Sequence, residues 1–222
     1  MAPKTSPRPE DLATDRAAAL RLFPISAETE ARLAIYADLL LKWQKTINLV
    51  APSTLPHLWT RHFADSIQVQ VALPEARLWV DLGSGAGFPG LVTAIILADT
   101  QDARVHLIES DRRKCAFLRE VSRETGAPAT IHVGRIEDVA ATIADPVEAV
   151  SARALAPLPQ LLAYAAPFLK KGAVGLFLKG QHIGDELTDS TITSRYEIEM
   201  LKSRTSNSAH LLVVKDRIAE PR

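Results

Sequence analysis

Between Ser26 and Val50, SAETEARLAIYADLLLKWQKTINLV, apolar side chains fall at Leu33, Tyr36, Leu40, Trp43 and Ile47, three or four residues apart. With Ser26 as a cap and acids in the first turn, this spacing predicts an amphipathic helix. The stretch APSTLPHLWTRHFADSIQVQVAL places Trp59, Phe63 and Ile67 one turn apart with Pro56 near the start, which predicts a second helix. From Arg77 onward the pattern changes. Short apolar runs (RLWVDLG, ARVHLIES, ATIHVGR, EAVSARA, AVGLFLKG) alternate with helical ones (FPGLVTAIILAD, DRRKCAFLREVSRETGA, LPQLLAYAAPFLKKG). That alternation predicts an α/β fold with a parallel sheet and right-handed crossovers. In RYEIEMLKSRTSNSAHLLVVKD two strand-like runs flank a polar turn, so an antiparallel hairpin is expected at one sheet edge. MAPKTSPRPE has three prolines in ten residues and no apolar run of the signal-peptide kind. The expected organisation is a flexible tail (1–25), a helical extension (26–75) and one α/β domain (76–222).

Composition narrows the picture. Lys plus Arg and Asp plus Glu both total 26 in a chain that is 47% hydrophobic and 23% charged. This is the balance of a folded globular protein, with no global field to drive it onto nucleic acid or an anionic membrane. Local clusters such as Arg112, Arg113 and Lys114, or Lys170 and Lys171, read as solvated surface. The single cysteine, Cys115, excludes an internal disulfide and a cysteine-rich metal site, so no metal is expected. It shares an apolar helical face with Leu118 and Val121, which predicts packing rather than nucleophilic chemistry. Apolar runs such as LVTAIILA fall short of the ~18 residues of a membrane span, so a soluble cytoplasmic protein is expected.

The strongest chemical signal is VDLGSGAGFPG, Val80 to Gly90, four glycines directly after a predicted strand. In an open α/β sheet the first such loop lies where ligands collect, and glycine lets a backbone turn with positive φ and a ligand come close. Gly83, Gly85 and Gly87 are therefore candidate ligand contacts. A dinucleotide and a phosphate-free nucleoside such as S-adenosylmethionine both suit the loop. Pro89, at the expected helix start, removes an N–H that a pyrophosphate would use. Asp81, Glu109 and Glu137 are expected to ring the pocket mouth and repel a dianion while tolerating an ammonium and a sulfonium. Glu109, ending the second strand, suits both ribose hydroxyls, and Ile136 suits the face of an adenine. Asp81 is a weaker candidate for the methionine ammonium.

The loop VDLGSGAGFPGL, followed by ESDRRKCAFLRE, GRIEDV, VSARALAPL and FLKGQ and preceded by RHFADS, resembles the bacterial 16S ribosomal RNA guanine-N7 methyltransferases, also called glucose-inhibited division protein B. The resemblance runs from about Leu40 to Lys215. It implies a seven-stranded, Rossmann-like fold that uses S-adenosylmethionine, and methylation of one guanine in the RNA of the small ribosomal subunit. No membrane and no obligate protein partner are expected. Carried over by motif, the cofactor contacts it implies are Gly83, Phe88, Ile136, Glu137 and Arg153. Arg153 offers a planar fork either to the methionine carboxylate or to the RNA backbone. Arg61, His62, Asp65 and Ser66 of RHFADS, and Lys179 of LKG, become candidates for the RNA side, with His62 and Arg153 expected to position the guanosine. Guanine N7 carries a lone pair and no proton, so its attack on a methyl group needs no general base. Two rival readings are a dinucleotide-dependent reductase and an RNA-binding or assembly factor that transfers no methyl group.

Overall fold

The computed structural model describes residues 7–181, 183–187 and 190–218. Seven strands form one sheet: β1 (Leu78–Leu82), β2 (Arg104–Glu109), β3 (Ala129–Val133), β4 (Ala149–Arg153), β5 (Val174–Lys179), β6 (Tyr196–Lys202) and β7 (His210–Asp216). Their order is β3-β2-β1-β4-β5-β7-β6. The first five are parallel, as the alternating pattern predicts, and β7 runs antiparallel between β5 and β6. The chain reverses direction across the sheet between β1 and β4, so the loops after these strands open a crevice.

The expected 1–25 tail is corrected in part: Pro9–Leu22 is a helix, α1. Proline at its first turn lacks only an N–H that no helical carbonyl would accept, and Glu10 and Asp11 complement the helix dipole. Its buried Asp15 accepts the backbone N–H groups of Trp59 (2.7 Å) and Thr60 (3.2 Å), a tertiary contact that proline content cannot reveal. Helix α2 (Ala27–Trp43) is capped by Ser26, whose side chain accepts from the Thr29 N–H. The second predicted helix is instead three pieces: a 3-10 turn Pro52–His57, a π-helical turn Trp59–Ala64 and α3 (Asp65–Val71). Pro56 cannot donate to a continuous ladder, and Asp15 takes the N–H groups that begin the π turn.

The remaining helices cover both faces of the sheet: α4 (Gly90–Ile96), α5 (Arg112–Thr125), α6 (Ile136–Ala140), α7 (Leu158–Leu169), α8 (Ile183–Glu186) and α9 (Ser190–Arg195). On one face Trp79, Leu107, Leu118 and Ile95 pack in one cluster with Leu33, Tyr36, Leu40 and Phe63 of the 26–75 segment. On the other, Val80, Ile108 and Phe177 of the sheet pack in one cluster with Ile136 of α6 and Leu161 of α7. Each such fully buried side chain contributes about 1.5–3 kcal/mol. Cys115, Leu118 and Val121 are buried on the inner face of α5, as expected. Among the described residues no helix is long and apolar enough to cross a membrane.

Candidate functional site

A cavity of about 860 Å³ opens beyond the carboxyl ends of β1, β2, β3 and β4. The loop after β1 forms its floor through Gly83, Ser84, Gly85, Ala86 and Phe88, with Gly83 and Gly85 at φ +63° and +58°. Gly87, at φ +96°, does not line the cavity as expected: its free side faces Tyr36, Leu91 and Leu118, so it shapes the turn. A Cβ on Gly83 would lie 2.5 Å from Leu155 Cδ1, and one on Gly87 2.5 Å from the Tyr36 hydroxyl oxygen. At Gly85 a Cβ would meet only the Gly83 carbonyl at 3.8 Å, so that glycine is required by backbone angle and leaves open space beside it. Tyr36, fully buried on α2, donates its hydroxyl to the Ala86 carbonyl and so ties the loop to the N-terminal helices.

Glu109 ends β2 at the cavity wall. Its Oε2 accepts the Gly85 N–H (2.8 Å) and its Oε1 the Asp111 N–H (2.7 Å), so one carboxylate fixes both the loop and the start of α5. Each oxygen keeps acceptor capacity for a ligand. Ile136 and the exposed Glu137, at the first turn of α6, line the next side. Leu49 and Val50 complete that wall from the segment after α2, a contribution the sequence reading missed. The buried Gln44 holds them by accepting both of their N–H groups at 2.9 and 3.1 Å and donating to the Val50 carbonyl at 2.8 Å. A glutamine six residues from the backbone that it braces leaves no spacing signal.

The opposite end is organised around Arg153, which follows the buried run of β4. Its guanidinium donates to His62 Nδ1 (2.9 Å), the Arg61 carbonyl (3.3 Å) and Asp65 Oδ2 (3.4 Å) and lies 4.9 Å from the centre of the Phe88 ring. Phe88 stacks on His62 at 5.0 Å and on Tyr36 at 5.3 Å. Burial, with Arg153 and Arg61 adding repulsion, pushes His62 down to about 3. The imidazole is therefore neutral at physiological pH, and since Nδ1 accepts from Arg153, Nε2 carries the proton and donates to Thr54 Oγ1 at 2.8 Å. Asp65 Oδ1 accepts from Gln68 and from Thr205 in the polar turn between β6 and β7. Two segments about 140 residues apart thus fix one carboxylate.

Several sequence-based expectations need correction. Asp81 does not reach the pocket mouth: it is fully buried beneath the loop, with Oδ1 accepting the Ser151 hydroxyl at 2.6 Å. Burial raises it to about 6 against the pull of the Ser151 and Ser84 hydroxyls and the Gly90 amide. The rim carboxylates are therefore Glu109, Glu137 and Asp138. Ser66 does not line the cavity: its buried hydroxyl donates back to the His62 carbonyl four residues earlier at 2.7 Å. His62 and Asp65 are also buried and hold Arg153 instead of lining the cavity. Lys179 is outside this cavity: two of its three N–H groups go to the Ala156 carbonyl (3.1 Å) and Glu186 (2.9 Å), which draws the ammonium inward from a phosphate at the surface and leaves one donor. Arg61 alone of the RHFADS group has an exposed side chain.

Comparison with known proteins agrees with this geometry. Residues 29–213 match the family described as rRNA small subunit methyltransferase G. A protein of that name from Bradyrhizobium sp. (strain ORS 278) is 53% identical over 204 residues, 92% of each chain. Another from Methylobacterium sp. (strain 4-46) is 50% identical over 200 residues, 90% of this chain and 94% of its own. In fold, the chain is similar to the O-methyltransferase TomG from Streptomyces achromogenes, solved in complex with SAM (TM-score 0.60, 18% identity, 93% and 98% of the two chains). It is similar also to a methyltransferase from Geobacter sulfurreducens (TM-score 0.58, 15% identity, 90% and 94%). With a seven-stranded sheet in this order, a glycine loop closed by Glu109 and a match running from α2 into β7, the chain belongs to the ribosomal RNA small subunit methyltransferase G family.

Proposed function

We propose that this protein methylates N7 of a guanine in small-subunit ribosomal RNA, with S-adenosylmethionine as the methyl donor. The observation that carries the reading is the two-ended cavity: a glycine loop and Glu109 at one end, a half-buried guanidinium at the other. These ends fit the two halves of the donor. Glu109 accepts from ribose hydroxyls, Ile136 packs on the adenine face, and Arg153 pairs with the methionine carboxylate. When bound, the donor supplies a methyl group on a positively charged sulfur.

The protein's own task is then alignment. Guanine N7 attacks without losing a proton, and His62, pushed down to about 3 with both ring nitrogens engaged, is a poor proton acceptor, in keeping with a site that needs no base. Holding reacting atoms in line is a class of effect worth up to ~7–11 kcal/mol. Glu109 restrains the loop through Gly85, and Asp65 and His62 restrain Arg153. Pro89 and the Gly90 amide close over the buried Asp81, which leaves the start of α4 unsuited to a pyrophosphate and argues against a dinucleotide reductase.

The test is transfer of labelled methyl to undermethylated small ribosomal subunits, followed by strand scission specific to 7-methylguanosine. Label and scission at one guanine are expected. Label on another base atom overturns the N7 reading, and no labelled RNA favours a silent binding factor.

A further inference from the structure

Behind the strand-end segment Arg153–Ala156 lies a second cavity of about 240 Å³, which shares Ala154, Leu155 and Ala156 with the first. The boundary is strained: Ala154 has φ +51°, a left-handed conformation that L residues seldom hold without a local demand. Ala152, Leu161 and Leu178 make apolar sides, and Lys179 and Glu186 stand together on the polar wall. Lys179 Nζ and the Leu158 N–H both donate to Glu186 Oε2, while among the described residues none donates to Oε1. Burial pushes Glu186 up, and the Leu158 N–H and Lys179 outweigh it, holding the carboxyl below its ordinary range and so ionised at neutral pH. The wall thus sets an acceptor oxygen beside a fixed ammonium.

Resting on the proposed function, we infer that this second cavity seats the target base, with Glu186 accepting from guanine N1–H and the 2-amino group and Lys179 donating to O6. Guanine shows an acceptor beside two donors along that edge, the complement of an ammonium beside a carboxylate. Adenine shows the reverse, a 6-amino group against the ammonium and a lone pair against the carboxylate, and is rejected. The apolar sides suit the faces of a base taken out of its stack. N7 lies across the fused rings from the 2-amino group, so a base held in this way keeps N7 off the edge that Lys179 and Glu186 grip, and Ala154, Leu155 and Ala156 are common to this cavity and the larger one.

The competing account is that Glu186 only caps the start of α7. The two are separated by substrates in which the methylated guanosine is replaced by inosine, which keeps N7, O6 and N1–H and lacks the 2-amino group. The wild-type protein should lose about 10-fold in kcat/KM on inosine, and Glu186→Gln about 10-fold to 100-fold on guanosine, the range of a charged base contact. In Glu186→Gln the inosine penalty should shrink below about 2-fold, with donor affinity by calorimetry unchanged. An inosine penalty of the same size in both proteins overturns the inference. If Glu186→Gln does not fold, Glu186→Asp serves the same comparison. Failure of the wild-type protein to label guanine N7 would defeat the proposed function instead, a separate outcome from an unchanged inosine penalty.

Discussion

At one end of the large cavity Glu109 meets Gly85 and Asp111, 24 and 2 residues away in the chain. At the other, Arg153 meets Arg61, Asp65 and His62, 88 to 92 residues away, with Thr205 bracing Asp65 from a still more distant turn. The carboxylate clasp of the first end is built from one β-α-β unit and its own backbone N–H groups, with Tyr36, Leu49 and Val50 packed against it from α2 and the segment that follows. The second is borrowed from a helical segment that shares a hydrophobic cluster with the sheet. A site of this kind divides its dependencies: the Glu109 clasp on Gly85 and Asp111 should outlast damage to Pro9–Leu22 and residues 52–71, and the arginine end, whose partners lie there, should not.

The largest effect expected from this contrast is on acid stability. His62 falls from an ordinary 6.5 to about 3 in the fold, so its contribution is fully present above pH 6.5 and is lost as pH drops toward 3, on the order of 4 kcal/mol at the limit. Asp81 runs the other way, its contribution present below pH 3.8 and lost as pH rises through about 6. Urea unfolding across this range should show His62→Asn with a much shallower decline below pH 6.5 than the wild type. Equal slopes would mean that the arginine end is not buried as described.

At the loop itself, a Cβ on Gly90 would lie 2.3 Å from Asp81 Cβ and 2.6 Å from Leu107 Cδ2. Gly90→Ala should cost about 3 kcal/mol of stability and weaken donor binding through the nucleoside end, measured by urea unfolding and calorimetry. Asp15→Ala probes the opposite side of the comparison. It strips the acceptor from Trp59 and Thr60, which should cost about 2 kcal/mol and speed hydrogen exchange at those two amides. Exchange at Gly85, held by Glu109, should stay as slow as before. The smallest effect belongs to Tyr36→Phe, which keeps the ring stack with Phe88 and removes one hydroxyl from the Ala86 carbonyl. About 1 kcal/mol and a donor affinity reduced by about 5-fold are expected.

The same contrast explains what was legible beforehand. Glycines at Gly83, Gly85 and Gly87 and the acid at Glu109 could be read because a turn needing positive φ and a strand-end carboxylate are local demands. Strand alternation gave the parallel sheet and the edge hairpin for the same reason. Asp81 was misplaced because nothing in DLGSG distinguishes a carboxylate under the loop from one facing the pocket. Helix α1 was missed because three prolines outweighed a short, weakly patterned run whose anchor, Asp15, acts 44 residues away. In RHFADS, His62 and Asp65 stand at i and i+3 with Ser66 at i+4, so their shared helix face was legible. Their joint attachment to Arg153 was not, since it depends on how two distant segments fold together.

The division between the two ends can be tested on one variant with two ligands. S-Adenosylhomocysteine carries both the nucleoside and the amino-acid carboxylate, whereas 5′-methylthioadenosine carries the nucleoside alone. Arg153→Lys replaces a planar fork by a point charge, and calorimetry should show S-adenosylhomocysteine weakened by about 30-fold with 5′-methylthioadenosine within about 2-fold of the wild type. Equal weakening of both ligands, or of neither, would contradict an arginine end that holds the carboxylate.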